Sequence, residues 1–326
     1  TALEEGLNAR RYARTSCLPR VRPFCCHLES CVVALYGRSA YLRAGKHPDT
    51  VAERLNQTRL RYLLIAAVAC LTAVALAFRL LDLGALGFVG DEETTALAAR
   101  SLAEGSGSVM PTGLPYRRAL PFTWLNAASA SLGGLDSELS YRLPSAVLGA
   151  GTVLLIYFLA ASIGGPGAGL FASLIMALSG WHLVWSRTAR MYSPALLVAL
   201  GFFFVCLRWQ HSRRNLHLAL ATALFLLAVF LHSAAISIAL FPILLALLYD
   251  GDRVSSGEAS LAAGFMVAAG WLLDRFFVVV PYERWASELT GTLDRPASRA
   301  VDSIESLLAG ISTTAWPLLL IGLVAG

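Results

Sequence analysis

Charged side chains are scarce in this sequence. Asp, Glu, Lys and Arg make up only 14% of its 326 residues, whereas 56% are hydrophobic and the mean hydropathy is +0.63. Soluble domains carry charge on about 25% of their residues. The composition therefore excludes an ordinary soluble domain and predicts an all-α polytopic membrane protein, since spanning helices satisfy their own backbone hydrogen bonds.

Motifs for nucleotide and metal binding are also missing. The sequence contains no P-loop and no Rossmann fingerprint, which argues against a nucleotide-sugar substrate. No set of His, Cys and carboxylate side chains on the predicted outer side has metal-ligand spacing, so we expect neither a metal nor a cofactor. The net charge of +5 comes from basic residues scattered between apolar runs, which argues against a nucleic-acid partner.

Apolar runs long enough to cross a bilayer recur along the chain. One span needs about 20 residues, and the run at 216–249 is long enough for two short helices that meet near His232 and Ser233. The eight predicted spans are 63–83, 143–163, 168–185, 194–209, two within 216–249, 261–280 and 307–326.

Basic residues at the span ends predict the orientation, because Lys and Arg near span ends stay in the cytoplasm. If every span crosses, one side carries Arg54, Arg59, Arg61, Arg208, Arg213, Arg214 and Arg253. This prediction makes 1–62 a cytoplasmic segment, 63–326 a transmembrane domain and 84–141 a long outer loop. The Ala-, Leu-, Gly- and Arg-rich composition suggests a bacterial inner (plasma) membrane.

The two ends of the chain differ from its middle. Residues 1–50 hold four of the six cysteines, show no helical or strand period, and precede the first methionine, Met110. We expect a non-native extension up to about residue 50, with initiation near Val51. The run 307–326 stops at the chain end, so we expect a transmembrane domain truncated at its C-terminus.

Six arginines lie on the predicted outer side, against the orientation rule. An Arg at the centre of a span costs about 2.5 to 3.5 kcal/mol on insertion scales, so it is usually retained for a partner or a ligand. Snorkelling to lipid phosphates explains a single Arg equally well. Six together favour a lipid-linked phosphate, which guanidinium forks bind bidentately. They are Arg79, Arg117, Arg118, Arg142, Arg187 and Arg190.

An Asp-Glu-Glu triplet begins the outer loop. Asp91 follows Gly90 and precedes TTALAARSLAE, so it is predicted to be the N-cap of an interfacial helix, with Glu92 and Glu93 in the first turn. Capping fixes the direction of a carboxylate and is compatible with catalysis. Asp91 is therefore a candidate base that deprotonates an acceptor hydroxyl or amine.

Four segments follow one another between about residues 70 and 250: RLLDLGALGFVGDEE, GLPYRRALPFTWLNAASASLGG, SYRLPSAVLGAGTVLLIYFLA and LSGWHLVWSRTARMYSP. With the segments in this order, the chain resembles the glycosyltransferases that use polyprenyl-phosphate sugars. These form the protein O-mannosyltransferase and aminoarabinose transferase superfamily, and the resemblance is to the type of glycosyltransferase family 39. The resemblance implies a GT-C type transmembrane helical bundle with interfacial helices in its first outer loop.

The resemblance also implies site residues. The catalytic residues would be Asp91 and Glu92, and the donor phosphate would be bound by Arg79, Arg118, Arg142, Arg187 and Arg190. Tyr116, Arg117 and Tyr192 would bind substrate. Many family members have Lys and consecutive prolines where this chain has Arg118-Ala119-Leu120-Pro121, which is a departure. His232, at a predicted outer turn, is either a structural hydrogen bonder or a donor-site residue.

The expected function is transfer of a sugar from a polyprenyl-phosphate donor to a protein, lipid or glycan acceptor on the extracytoplasmic side. One inverting displacement suffices, with the lipid phosphate as leaving group. Two alternatives stay open. A secondary transporter would place polar residues and helix breaks at the bilayer midplane. A catalytically silent membrane subunit is favoured by the expected truncation.

Overall fold

The computed structural model describes residues 51–248 and 254–279, with side chains from residue 58 onward. Within these residues the regular structure is helical, apart from one isolated antiparallel bridge between Val109 and Pro115. The helices are α1 (Val51–Leu80), α2 (Asp91–Ala103), α3 (Leu120–Gly133), α4 (Glu138–Gly164), α5 (Pro166–Leu178), α6 (Gly180–Ser186), α7 (Tyr192–Ser212), α8 (Asn215–Leu231), a 3₁₀ helix (Ser233–Leu240), α9 (Phe241–Leu248), α10 (Ser256–Asp274) and a π-helical turn (Arg275–Val279). The predicted all-α class is confirmed.

Among the residues that the structure describes, four helices are long and apolar enough to cross a membrane. They are Thr58–Leu80, Glu138–Gly164, Tyr192–Ser212 and Ser256–Val279. The number rises to five if α5 and α6 together form one bent span, and Asn215–Leu231 and Ser233–Leu248 are apolar but shorter. The predicted span at 307–326, the N-terminal segment 1–50 and Arg253 lie outside the described residues.

The predicted span at 168–185 corresponds to two helices, because the helix breaks at Ser179. The backbone of Ser179 is extended, and its hydroxyl accepts a hydrogen bond from the backbone N of His182, which makes Ser179 the N-cap of α6. As a result, α5 and α6 are bent by 63° relative to each other. The second break, near His232, lies where it was predicted: α8 ends at Leu231 and the 3₁₀ helix begins at Ser233.

Small residues let α4 pack closely against its neighbours. A Cβ built on Gly149 would lie 2.3 Å from Cβ of Ser186 and 2.9 Å from Oγ of Ser193, so only glycine fits where α4 crosses α6 and α7. The same Cβ would lie 3.1 Å from Nε of Arg79, which places the end of α1 at this crossing. The link between α6 and α7, residues 187–191, is thereby held against α4.

Among the described residues, the largest hydrophobic cluster lies between α7, α8 and α10. Phe202, Phe225 and Met266 are fully buried there. Gly270 of α10 allows close approach, since a Cβ at this position would lie 2.9 Å from Cε1 of Phe225. This cluster fixes α7, whose first turn carries Tyr192.

The long loop between α1 and α4 carries two helices, α2 and α3, as predicted. Ala96 and Ala99 of α2 pack in one cluster with Ala127 and Ala130 of α3, because small side chains let the two backbones approach. Trp124 on α3 is exposed, as expected for an aromatic residue at a membrane interface. The two helices bring the start of α2 next to the link between α6 and α7.

Candidate active site

A buried ion pair joins the start of α2 to α4. Nε of Arg142 donates to Oε1 of Glu92 over 2.7 Å, and Nη2 donates to Oε2 over 2.9 Å, which is a bidentate fork. Glu92 also accepts hydrogen bonds from the backbone N of Ala189, over 2.6 Å, and from that of Val89, over 3.3 Å. Burial raises the pKa of Glu92, but the bonds from Arg142 and Ala189 outweigh it, and the net pKa is lowered.

All five N–H groups of Arg142 donate hydrogen bonds to other groups of the protein. Besides the two bonds to Glu92, Nη1 donates to the carbonyls of Leu83 and Leu86, over 3.0 and 2.6 Å, and Nη2 donates to that of Gly87 over 3.0 Å. These carbonyls belong to the segment that connects α1 to α2. Arg142 therefore fixes the path of this segment and has no donor left for a phosphate.

These contacts change the roles expected for two predicted site residues. Glu92 is only 2% exposed and Arg142 only 5% exposed, and each is saturated by the contacts above. The geometry supports neither Glu92 as a second catalytic carboxylate nor Arg142 as a phosphate ligand. In this structure, Arg142 contacts the segment before α2 and Glu92 contacts the backbone of Ala189.

Asp91 occupies a different environment from Glu92, although the two are adjacent. Its side chain is 73% exposed, and Oδ2 accepts a hydrogen bond from Nη2 of Arg190 over 3.0 Å. The predicted N-cap role is wrong: Gly90 is the N-cap, with φ of 56°, and Asp91 is the first residue of α2. Glycine is suited to this left-handed φ. The carboxylate is consequently directed outward instead of back onto the helix end.

Arg190 is the buried anchor of Asp91. Its side chain is 4% exposed, and Nη1 donates to the backbone O of Asp91 over 2.9 Å and to Oγ1 of Thr95 over 3.2 Å. Oγ1 of Thr95 lies 3.1 Å from Oη of Tyr116. The guanidinium also lies over the ring of Tyr192, 5.7 Å from its centroid. Arg190 thus connects the predicted base with two predicted substrate-binding tyrosines.

An aromatic row extends away from this group. The centroid of the Tyr192 ring lies 4.3 Å from that of the Trp185 ring and 5.6 Å from that of the His232 ring. Burial, together with the charges of Arg118 and Arg190, lowers the pKa of His232. Arg118 and its neighbour Arg117 are exposed, just before α3 begins. The arrangement provides an aromatic surface with cations on two sides.

Arg187 and Arg79 have different surroundings. Nη1 and Nη2 of Arg187 donate to the carbonyls of Phe78 and Leu81, over 2.8 and 2.6 Å, and so cap the end of α1. Arg79 is completely buried; its Nη1 donates to the carbonyl of Ala75, and its Nε and Nη2 have no hydrogen-bond partner among the described residues. The structure packs both against helices, and no bond in the described part of the chain joins either to Asp91.

The structure brings together Asp91, Arg118, Tyr116, Arg190, Tyr192 and His232, and leaves Glu92, Arg79, Arg142 and Arg187 in supporting positions. Sequence reasoning missed Thr95. The signal was available, because Thr95 follows Asp91 by four residues and therefore lies on the same face of α2. Across the described residues, no group of three His, Cys, Asp or Glu side chains could hold a metal ion.

Comparison with known proteins finds a matching family model and a solved structure of similar fold. Residues 117–273 match the family model of dolichyl-phosphate-mannose-protein mannosyltransferases. Asp91 and Glu92 precede the matched region. No curated protein matches the chain significantly.

A solved structure shares the fold: archaeal oligosaccharyltransferase AglB from Archaeoglobus fulgidus, in complex with an inhibitory peptide and a dolichol-phosphate. The two superpose with a TM-score of 0.53 at 14% identity, over 81% of this chain and 38% of the AglB chain. This chain thus spans well under half the length of that relative. The family match covers just under half of the chain, and the likeness to AglB shows a shared fold; together they support a relationship of this chain to the GT-C superfamily of membrane glycosyltransferases.

Proposed function

We propose that this protein transfers a sugar from a polyprenyl-phosphate donor to an acceptor hydroxyl or amine at the extracytoplasmic surface of a membrane, with Asp91 as the base. The observation that carries the proposal is the exposed carboxylate of Asp91, fixed on one side by the buried guanidinium of Arg190. A base must be both oriented and reachable, and Asp91 satisfies both conditions.

The chemistry needs a single displacement. The acceptor oxygen or nitrogen attacks the anomeric carbon while the bond from this carbon to the phosphate oxygen breaks. The polyprenyl phosphate leaves with the electron pair, and the acceptor proton passes to the carboxylate of Asp91. One displacement inverts the anomeric configuration. Cations near the leaving phosphate stabilise the negative charge that develops on it.

We assign the donor phosphate to Arg118, with Arg117 beside it. Both side chains are exposed, and Arg118 lies close enough to His232 for its charge to act on the imidazole. Arg190 has a supporting electrostatic role, because most of its donors are used by Asp91 and Thr95. The sugar would then lie between Arg118 and Asp91, against Tyr192 and His232. Nothing in this scheme requires a metal.

The family match and the fold support this assignment from a second direction. The matched family is described by a lipid-phosphate sugar donor, and AglB was solved with a dolichol-phosphate. The sugar and the acceptor are chosen by pocket hydrogen bonds, so we leave them as hexose or pentose and as protein, lipid or glycan.

The assignment of Arg118 can be tested with Arg118→Gln. Loss of the cation that holds the phosphate should raise KM for the donor by about tenfold, since a charge-assisted hydrogen bond contributes roughly 1.5 to 3 kcal/mol. The measurement is transfer from purified polyprenyl-phosphate sugar at varied donor concentration.

Arg214→Gln is the matched control. Arg214 is also exposed, but it follows the C-terminal end of α7. This 21-residue helix separates it by about 30 Å from Tyr192 at the other end. Equal donor KM values for the wild type and Arg118→Gln would contradict the phosphate assignment, and equal losses in both variants would point to a general effect of surface charge.

A further inference from the structure

A buried hydroxyl connects a surface hairpin to the Asp91–Arg190 pair. The hairpin spans residues 108–116 and is closed by its own backbone: the N of Tyr116 donates to the carbonyl of Ser108 over 2.9 Å, and Oγ of Ser108 donates to the carbonyl of Tyr116 over 2.8 Å. Tyr116 stands at the base of the hairpin. Its Oη lies 3.1 Å from Oγ1 of Thr95, and this is the bond that reaches α2.

Thr95 is only 2% exposed and contacts Arg190, the buried member of the Asp91–Arg190 ion pair. Its Oγ1 accepts a hydrogen bond from Nη1 of Arg190 over 3.2 Å. The same Nη1 donates to the backbone O of Asp91, while Nη2 holds the carboxylate. The hydroxyl therefore helps to set the plane of the guanidinium, and this plane sets the direction of the carboxylate.

Arg190 depends on this contact more than a typical arginine would. Its side chain is 96% buried, and its Nε has no hydrogen-bond partner among the described residues. The loss of any remaining acceptor is therefore costly in free energy, because a buried guanidinium cannot replace a lost hydrogen bond with one to water. The carboxylate of Asp91 is largely exposed, so solvent screens its attraction to Arg190, and this ion pair alone contributes little to fixing the guanidinium.

We propose that Thr95 is a positioning residue of the active site: it holds Arg190 in the orientation that directs Asp91 toward the acceptor, and it couples the hairpin to this orientation through Tyr116. This inference rests on the proposed function. It predicts that the hydroxyl of Thr95 matters for the rate of transfer and not for donor binding, since the donor phosphate is assigned to Arg118.

The test uses the full-length protein, three single variants and one double variant. The single variants are Thr95→Val, which removes the hydroxyl at nearly constant volume, Thr95→Ser, which keeps it, and Tyr116→Phe. We expect Thr95→Val to lower kcat by about tenfold with the donor KM within twofold of wild type, and Thr95→Ser to recover most of the rate. The double variant Thr95→Val, Tyr116→Phe should be no slower than Thr95→Val alone, because both act through one bond.

Thr152→Val is the matched control. Thr152 is equally buried, but its hydroxyl donates to the carbonyl of Leu148 within α4, over 3.0 Å, and it belongs to no part of the site. It should retain the wild-type kcat. A thermal midpoint measured for every variant separates loss of folding from loss of rate.

Three results would overturn the inference: a wild-type kcat in Thr95→Val, a Thr95→Ser variant as slow as Thr95→Val, or fully independent effects of Thr95→Val and Tyr116→Phe. If Thr95→Val fails to fold, Thr95→Ser and Tyr116→Phe decide, and wild-type kcat in Tyr116→Phe then overturns the coupling. A wild type that transfers no sugar from any donor overturns the proposed function itself, and this arm is read independently of the variants.

Discussion

Adjacent carboxylates on α2 have opposite environments, and this difference assigns their roles. Asp91 is exposed and held by one arginine, whereas Glu92 is buried and receives four hydrogen bonds. Successive residues on a helix point about 100° apart, so one turns outward when the other turns inward. These environments agree with the proposed roles, in which Asp91 is the base and Glu92 holds the backbone around it.

At this scale we predict the effect of Glu92→Gln. Removing one partner of a buried ion pair leaves the other charge uncompensated, which costs about 3 kcal/mol or more in the free energy of unfolding. The pKa of Glu92 is lowered in the folded state, so its contribution is present above the ordinary carboxyl pKa and is lost as the pH falls through the lowered value. Thermal midpoints measured from pH 7 downward should therefore differ most at neutral pH and converge in acid.

Glu93→Gln provides the control for this prediction, since Glu93 lies in the same turn of α2 and is exposed. A surface substitution of this kind changes stability by less than about 0.5 kcal/mol. Equal midpoints for Glu92→Gln and Glu93→Gln at neutral pH would show that the buried pair does not hold the loop.

At the scale of the helices, the crossing at Gly149 decides where the link between α6 and α7 lies. This link delivers both Arg190 and the backbone N of Ala189, so the crossing supports the two residues at the start of α2. Two small contacts, with Ser186 and Ser193, make the approach possible. In membranes, helix association depends on such close packing because lipid supplies little hydrophobic driving force.

Gly149→Ala tests this crossing. The added Cβ would lie 2.3 Å from Cβ of Ser186, so the helices must shift, and overpacking of this kind costs roughly 1 to 3 kcal/mol. We expect a lower thermal midpoint and reduced transfer activity. In Gly151→Ala, two residues away, the nearest atoms are the methyl groups of Leu197 at 3.7 Å, an ordinary contact, and stability should be kept. A Gly149→Ala variant as stable as Gly151→Ala would argue that α4 is not tightly packed here.

At the scale of the whole molecule, hydropathy predicted most of the described helices but few of the hydrogen bonds that pair the site residues. Runs of apolar residues gave the spans at α1, α4, α7 and α10, because a bilayer imposes a length on each. The break at Ser179 escaped prediction, since one serine within an apolar run looks like any other residue of a span. Its effect depends on a local hydrogen bond to His182.

The sequence pointed to residues of the candidate site but did not show which of their side chains contact each other. Asp91 and the outer arginines were identified from charge that orientation did not need. The sequence could not show which arginine serves which carboxylate, because Arg142 lies 50 residues from Glu92 and Arg190 lies 99 residues from Asp91. Only the packing of α2 against α4 and the link before α7 decides that Arg142 is a structural partner and Arg190 an anchor.

The most direct test of the account is sugar transfer by the full-length protein from radiolabelled polyprenyl-phosphate mannose, glucose and related donors, compared with Asp91→Asn at equal expression. Loss of general-base catalysis lowers rates by about 10² to 10⁴. We expect transfer by the wild type and by Glu93→Gln, and a loss of at least about 100-fold in Asp91→Asn. Turnover of no donor by the wild type, or equal rates in Asp91→Asn, would contradict it and favour a transporter or a catalytically silent subunit.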